Sequence, residues 1–187
     1  YITLPVNALD DWDKITLLDA TNPVFARELA ALKLIQQQLG RDVPILQTIF
    51  SPLNSAHNLA RARMFADMRS HPDVLHRALR ALTETTARFA VESLRAGADA
   101  IFFATQMATR GYLSEEELRT FGGPYDLRVL DAIDAAKPDF ILLHIHGVDI
   151  YFDLLARWRV DAINWHDRRT APSLKDARSK FKGALVG

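Results

Sequence analysis

Short, nearly continuous apolar runs alternate with longer segments of helical periodicity along the whole chain, and this alternation restricts the folds open to it. The runs are VPILQTIF (43–50), ADAIFFA (98–104), DFILLHI (139–145), VDAINW (160–165) and the opening of another, GALVG (183–187). Strands apolar on both faces lie in parallel sheets covered by helices, because each face must be buried. The helical segments fit that role. Asn22-Pro23 reads as an N-cap with proline at the first helical position, followed by Phe25, Leu29, Leu32, Ile35 and Leu39 at helical spacing and a stop at Gly40. A long helix is expected from Pro72, with Leu75, Leu79, Leu82, Phe89 and Leu94 on one stripe and Gly97 at its end. Ser114 and Glu117 form a capping box, and further helices are expected over 124–136, 149–158 and 170–181. SPLNSAHN (51–58) reads as a polar loop.

Strand–helix repetition fits two architectures, a doubly wound open sheet and a (β/α)8 barrel. No glycine-rich phosphate loop follows any strand, which weighs against a dinucleotide-binding sheet. Five strands cannot close an eight-stranded barrel, so a barrel requires about three βα units beyond this sequence. Tyr1 in place of Met and the strand-like GALVG agree with continuation at both ends. The whole of 1–187 is then a single partial barrel domain. If the chain stopped here, its open sheet edges would call for association, for instance as a homodimer.

Composition removes several function classes. Lys plus Arg equals Asp plus Glu at 23 each, and no basic run carries interleaved aromatics, so a nucleic-acid partner is not expected. There is no cysteine, which excludes disulfides and thiolate ligands within this stretch and fits a reducing, cytoplasmic location. No apolar run approaches the roughly 20 residues that span a bilayer, and no signal peptide is visible. A small-molecule substrate remains.

In both architectures chemistry sits at the carboxyl ends of the strands. Those ends carry Ser51, Asn54 and His57; then Thr105, Gln106 and Met107; then His144, His146 and Gly147; then Asn164, Trp165, His166, Asp167, Arg168 and Arg169. Four of the six histidines fall there. His71 and His76, at the start of the long helix, read as surface or capping residues. His144 and His146 are two apart on a strand and share one face. Paired imidazoles suit a metal ion, with His166 or Asp167 from the next strand end as a third ligand. Acid–base or substrate contact without metal is the second reading, and hydrogen-bonded packing is the plain alternative. In NWHDRR (164–169), Arg168 offers a planar fork for a carboxylate or phosphate, and Asp167 could orient a histidine or pair with Arg168. The same loop could simply be salt-bridged and cap the next helix. Ser51-Pro52 has the composition of a turn. The acidic DDWDKI (10–15) and basic 175–182 stretches read as solvated faces.

VPILQTIFSPLNSA, SLRAGADAIFFATQMATRGYLSEEELRTFGGPY, ILLHIHGVDIYFDLLARWRVDAINWHDR and the closing GALVG, in this order and spacing, resemble the uroporphyrinogen decarboxylase superfamily over essentially the whole length. The resemblance implies a (β/α)8, TIM-type barrel, with this chain as its middle. The amino-terminal arginine segment that grips substrate carboxylates would precede Tyr1, and the last strands would follow Gly187.

The superfamily contains two chemistries. Decarboxylases remove acetate carboxyls from uroporphyrinogen without metal or cofactor. Corrinoid-linked methyltransferases activate a thiol on zinc through a His-x-Cys pair and a later cysteine. HIHG stands where the methyltransferases have HxCG, so His144 matches a family ligand and His146 replaces the cysteine, making the site harder. The third family ligand would lie beyond this chain. The decarboxylase pattern also departs: Asn58 beside His57 stands where those enzymes carry a substrate-facing tyrosine, Thr105-Gln106 where they carry Glu-Ser, and they lack the histidine pair.

The leading expectation is metal-assisted methyl transfer, with a corrinoid as substrate or methyl donor and a corrinoid protein as partner. His144 and His146 would hold zinc, His166, Asp167 and His57 would serve catalysis, and Arg168, Asn54, Gln106 and Asn164 would contact substrate. The alternative is decarboxylation of uroporphyrinogen III or a related carboxylate, without cofactor, in which Arg168 pairs with a carboxylate and a histidine protonates the carbanion. A non-catalytic tetrapyrrole-binding barrel and a metal-dependent hydrolase are further readings.

Overall fold

A computed structural model describes residues 3–40 and 42–187. After a 3-10 turn at Leu9–Lys14 come α1 (Pro23–Leu39), β1 (Leu46–Phe50), α2 (Pro52–Ala60), α3 (Ala62–Ser70), α4 (Pro72–Arg95) and β2 (Ala100–Thr105). The short α5 (Glu115–Glu117) runs through a π turn into α6 (Gly123–Ala135), followed by β3 (Ile141–Ile145), α7 (Phe152–Leu155), β4 (Ala162–Trp165), α8 (Leu174–Ala177) and β5 (Ala184–Val186).

The strands pair in sequence order, β1-β2-β3-β4-β5, and every pair is parallel. That order decides between the two architectures. A doubly wound sheet reverses direction at a switch point. Here each crossover advances the same way, and crossovers of one hand then lay every helix on one side of the sheet. The helix-facing residues Ile49, Ile101, Phe103, Ile141, Leu143, Ile145, Ile163 and Trp165 are no more than 3 % exposed. The alternate residues Thr48, Phe50, Phe102, Leu142, His144, Asn164 and Val186 line the other face, which is the inward face of a (β/α)8 arrangement.

The long α4 supplies the main helical wall. Leu75 and Leu79 are fully buried on its inward stripe, each side chain worth about 1.5–3 kcal/mol on removal from water. Phe25 of α1 stacks on Phe89 of α4 at 4.7 Å, and Leu29, Leu32, Ala96 and Ala98 close a smaller second cluster there. Ile35 and Leu39, expected on the same apolar stripe, are about half exposed.

Several local expectations are corrected. Residues 51–58 are helical: Ser51 Oγ accepts from the Asn54 N–H at 3.3 Å and Pro52 takes the first helical position. This is the same start signal as Asn22-Pro23, hidden because the helix carries polar residues where an amphipathic pattern would show leucines. The helices expected over 149–158 and 170–181 shrink to single turns at α7 and α8. DDWDKI is not wholly solvated, since Trp12 is 1 % exposed and its indole donates to Asp67 Oδ2 at 2.8 Å. Asp67, itself 5 % exposed, is also ion-paired with Arg63 at 2.9 Å. The capping box at Ser114 and Glu117 forms as read, with both reciprocal bonds present.

One buried acid has a consequence for stability. Asp126 on α6 is 1 % exposed, its Oδ1 has no hydrogen-bond partner among the described residues, and burial raises its pKa well above the ordinary carboxylate value. The folded state therefore holds a proton that the unfolded chain releases near pH 3.9, so stability falls as pH rises above about 4 until the folded pKa is passed. Asp126→Asn is expected to stabilise the protein at pH 7 and to lose that advantage near pH 3. Urea denaturation of both proteins across this range checks it, and a pH-independent difference would contradict the buried, protonated acid.

Candidate metal and active site

The register of β3 on β4 builds the site. His144 pairs with Asn164 and Ile145 with Trp165. One step further along each strand come His146 and His166, on the same face as His144 and Asn164 because strand side chains alternate. One ring nitrogen from each of His144, His146 and His166 lies within 4.8 Å of the others. The ring centroids are 5.7 Å apart for His144 and His146, 5.8 Å for His144 and His166, and 5.2 Å for His146 and His166. Asp167 does not join this group. Its side chain is 8 % exposed, lies 3.5 Å from the Arg168 guanidinium, and turns toward Gly187, where an added Cβ would sit 2.6 Å from Oδ1.

Local structure holds the two histidine loops together. Gly147 has φ +99°, a left-handed turn that an L side chain rarely adopts, so HIHG ends the strand abruptly after His146. The His146 N–H donates to the Thr105 carbonyl at 3.0 Å, tying this end of β3 to β2. The Asp149 N–H donates to Thr170 Oγ1 at 2.9 Å, joining the loops after β3 and β4. Trp165, buried beneath, packs at a tilt against Phe152 with ring centroids 4.8 Å apart and donates from its indole to the Pro172 carbonyl at 2.9 Å.

His144 is half-buried, within β3 itself. Phe102 stacks on its ring at 5.2 Å, and Nδ1 lies 2.5 Å from Asn164 Oδ1. Burial lowers its pKa, and the neighbouring His146 and His166 add to that, while the Asn164 hydrogen bond opposes it. His144 is thus a neutral imidazole at neutral pH, the form that ligates metals and accepts protons. Three nitrogens from adjacent strand ends match the donor number and type of an open catalytic zinc site.

The other expected residues are distributed around this centre. His57 lies on α2 at the end of β1, packed against Phe65 at 5.6 Å and Tyr112 at 6.1 Å, which stack on each other at 5.8 Å. Burial and then Arg61 lower its pKa. It is separate from the histidine trio. Gln106 is half-buried in the turn after β2, and the Arg168 side chain is 91 % exposed. Asn54 is 1 % exposed, and neither amide atom has a partner among the described residues. His71 is exposed at the start of α4, whereas His76 stacks on Phe121 at 4.5 Å and bonds the Tyr125 hydroxyl at 2.7 Å. Sequence reading overlooked Phe102, Phe65 and Tyr112. Only the two-residue period of β2 hinted that Phe102 shares a face with site residues.

The family model for uroporphyrinogen decarboxylase (URO-D) matches residues 1–187. The chain belongs to the uroporphyrinogen decarboxylase family. Its relatives carry both chemistries. A uroporphyrinogen decarboxylase of Prochlorococcus marinus is 26 % identical over 175 residues, covering 87 % of this chain and 48 % of that protein. A methylcobamide:CoM methyltransferase of Methanosarcina mazei is 23 % identical over 185 residues, covering 97 % of this chain and 52 % of that protein. A solved methyltransferase structure from Methanosarcina mazei superposes with a TM-score of 0.72 at 23 % identity, over 92 % of this chain and 54 % of that one, and supports the shared fold. The chain spans about half the length of the curated relatives it matches. Among the described residues, no helix is long and apolar enough to cross a membrane.

The unpartnered amide of Asn54 costs stability, since a buried polar group without a hydrogen bond forfeits its hydration. Asn54→Leu is expected to be neutral or to stabilise by about 1 kcal/mol. Urea denaturation measures this, and a loss of stability would show that the amide is satisfied in solution.

Proposed function

We propose that this member of the uroporphyrinogen decarboxylase family is a metal-assisted methyl-transfer enzyme in which His144, His146 and His166 hold a divalent ion such as zinc. The observation that carries the reading is the convergence of three imidazoles, one neutral and half-buried, at adjacent strand ends. When bound, the metal would supply Lewis acidity toward the methyl acceptor. The relatives named methylcobamide:CoM methyltransferase point to a corrinoid as the methyl source, and a corrinoid protein is the partner that follows.

The chain's own groups set the environment. Phe102 and the burial of His144 keep water from one side of the site and keep that imidazole neutral. His146 is the most exposed of the three. The all-nitrogen donor set distinguishes this centre from the His-x-Cys pattern that the sequence resembles. Neutral imidazoles leave more positive charge on a bound ion than thiolates do, so the site favours harder acceptor atoms.

Decarboxylation is the second reading, favoured by the relatives that carry that name, one of them 31 % identical over 154 residues. The freely exposed Arg168 would then pair with a substrate carboxylate, and a histidine of the trio would deliver the proton.

Elemental analysis of the full-length protein, purified without chelator or metal-affinity tag, separates the two. The expected result is about one zinc or similar ion per chain, which is the stoichiometry of a single catalytic site. His144→Ala/His146→Ala is expected to abolish binding. His166→Ala is expected to weaken it by more than the about 10–100-fold that loss of an outer-shell partner costs. No metal uptake even after incubation with zinc would overturn methyl transfer at this centre and favour the metal-free reaction.

A further inference from the structure

Asn164 was expected to contact substrate, yet both ends of its amide are engaged inside the protein. Nδ2 donates to the Val186 carbonyl of β5 at 3.1 Å. A backbone carbonyl only accepts, so this bond fixes which end of the amide faces which way. Oδ1 is thereby turned to His144 Nδ1, 2.5 Å away. Oδ1 also only accepts, so Nδ1 must carry the proton and Nε2 must carry the lone pair.

The geometry points to Asn164 as a positioning residue that sets the His144 tautomer, leaving Nε2 as the ligand or base that this histidine contributes to the trio. The inference rests on the metal-site reading only for its consequence, not for the tautomer itself. The relay begins in the backbone of β5 and passes through β4 to β3, following the register Asn164↔Val186 and His144↔Asn164. An amide suits this task differently from a carboxylate. It orients the imidazole without adding negative charge, so a bound cation would keep its full attraction for an anionic or lone-pair donor in its open position.

The test reads the tautomer directly, by long-range 1H–15N NMR of the metal-free full-length protein, alongside zinc affinity measured by competition with a chromophoric chelator. Wild type is expected to show His144 protonated at Nδ1. Asn164→Leu is expected to yield a mixture of tautomers and to weaken zinc binding about 10–100-fold. Asn164→Asp retains an acceptor oxygen and is expected to restore the Nδ1–H tautomer and most of the zinc affinity, while its folded spectrum controls for structural damage. An unchanged Nδ1–H tautomer in Asn164→Leu would overturn the assignment, as would an Asp variant that behaves like the Leu variant. If the tautomer follows residue 164 while wild type takes up no zinc, the metal-centre reading fails and the positioning role stands.

Discussion

The parallel pairing of β3 with β4 is the interaction on which the site depends. Its backbone hydrogen bonds set His144 beside Asn164, and continuing that register by two residues brings His146 and His166 together. A slip of one residue would reverse the faces of every side chain on the moving strand. His166 and Asn164 would then point into the helix layer, and Ile163 and Trp165 would point away from it. The apolar set buried under the helices therefore protects the polar set on the opposite face. The penalty for exposing Ile163 and Trp165, both at most 1 % accessible, is what holds the histidines in register.

The site is built from imidazole and amide groups. The histidines stand near one another, and burial already disfavours the charged form of His144. Asp167 is near in sequence, but its carboxylate lies 3.5 Å from the Arg168 guanidinium and does not join the histidines. The result is a cluster of lone pairs without compensating negative charge, which suits a cation that must remain electrophilic. Family relatives with two different reactions share this scaffold, and such divergence is expected where a barrel face supplies positions that different side chains can occupy.

Local signals in the sequence identified much of this architecture. The five strand cores, the N-cap at Asn22-Pro23, the capping box at Ser114 and Glu117, and the long α4 are all consequences of periodicity and terminal chemistry within a few residues. The failures were also local signals, but ambiguous ones. Ser51-Pro52 starts turns and helices alike, and only the packing of Leu53, Ala56 and Ala60 into the core selects the helix. Charges around Trp12 marked a surface segment, although its indole finds a buried partner in Asp67, fifty-five positions away.

The sequence by itself determined that His144 and His146 share a strand face, because side-chain alternation follows from the backbone of one strand. It also placed His166 at the carboxyl end of the next strand in sequence, since parallel strand direction follows from the βα repetition. Only the tertiary structure decided that His166 rather than Asp167 completes the cluster, and that Asn164 faces His144 instead of open space. Those relations depend on register between strands about twenty residues apart and on which way a loop turns after the strand ends. The register is set by the collective burial of the opposite face and by the helices packed against it, and no local residue pattern encodes it.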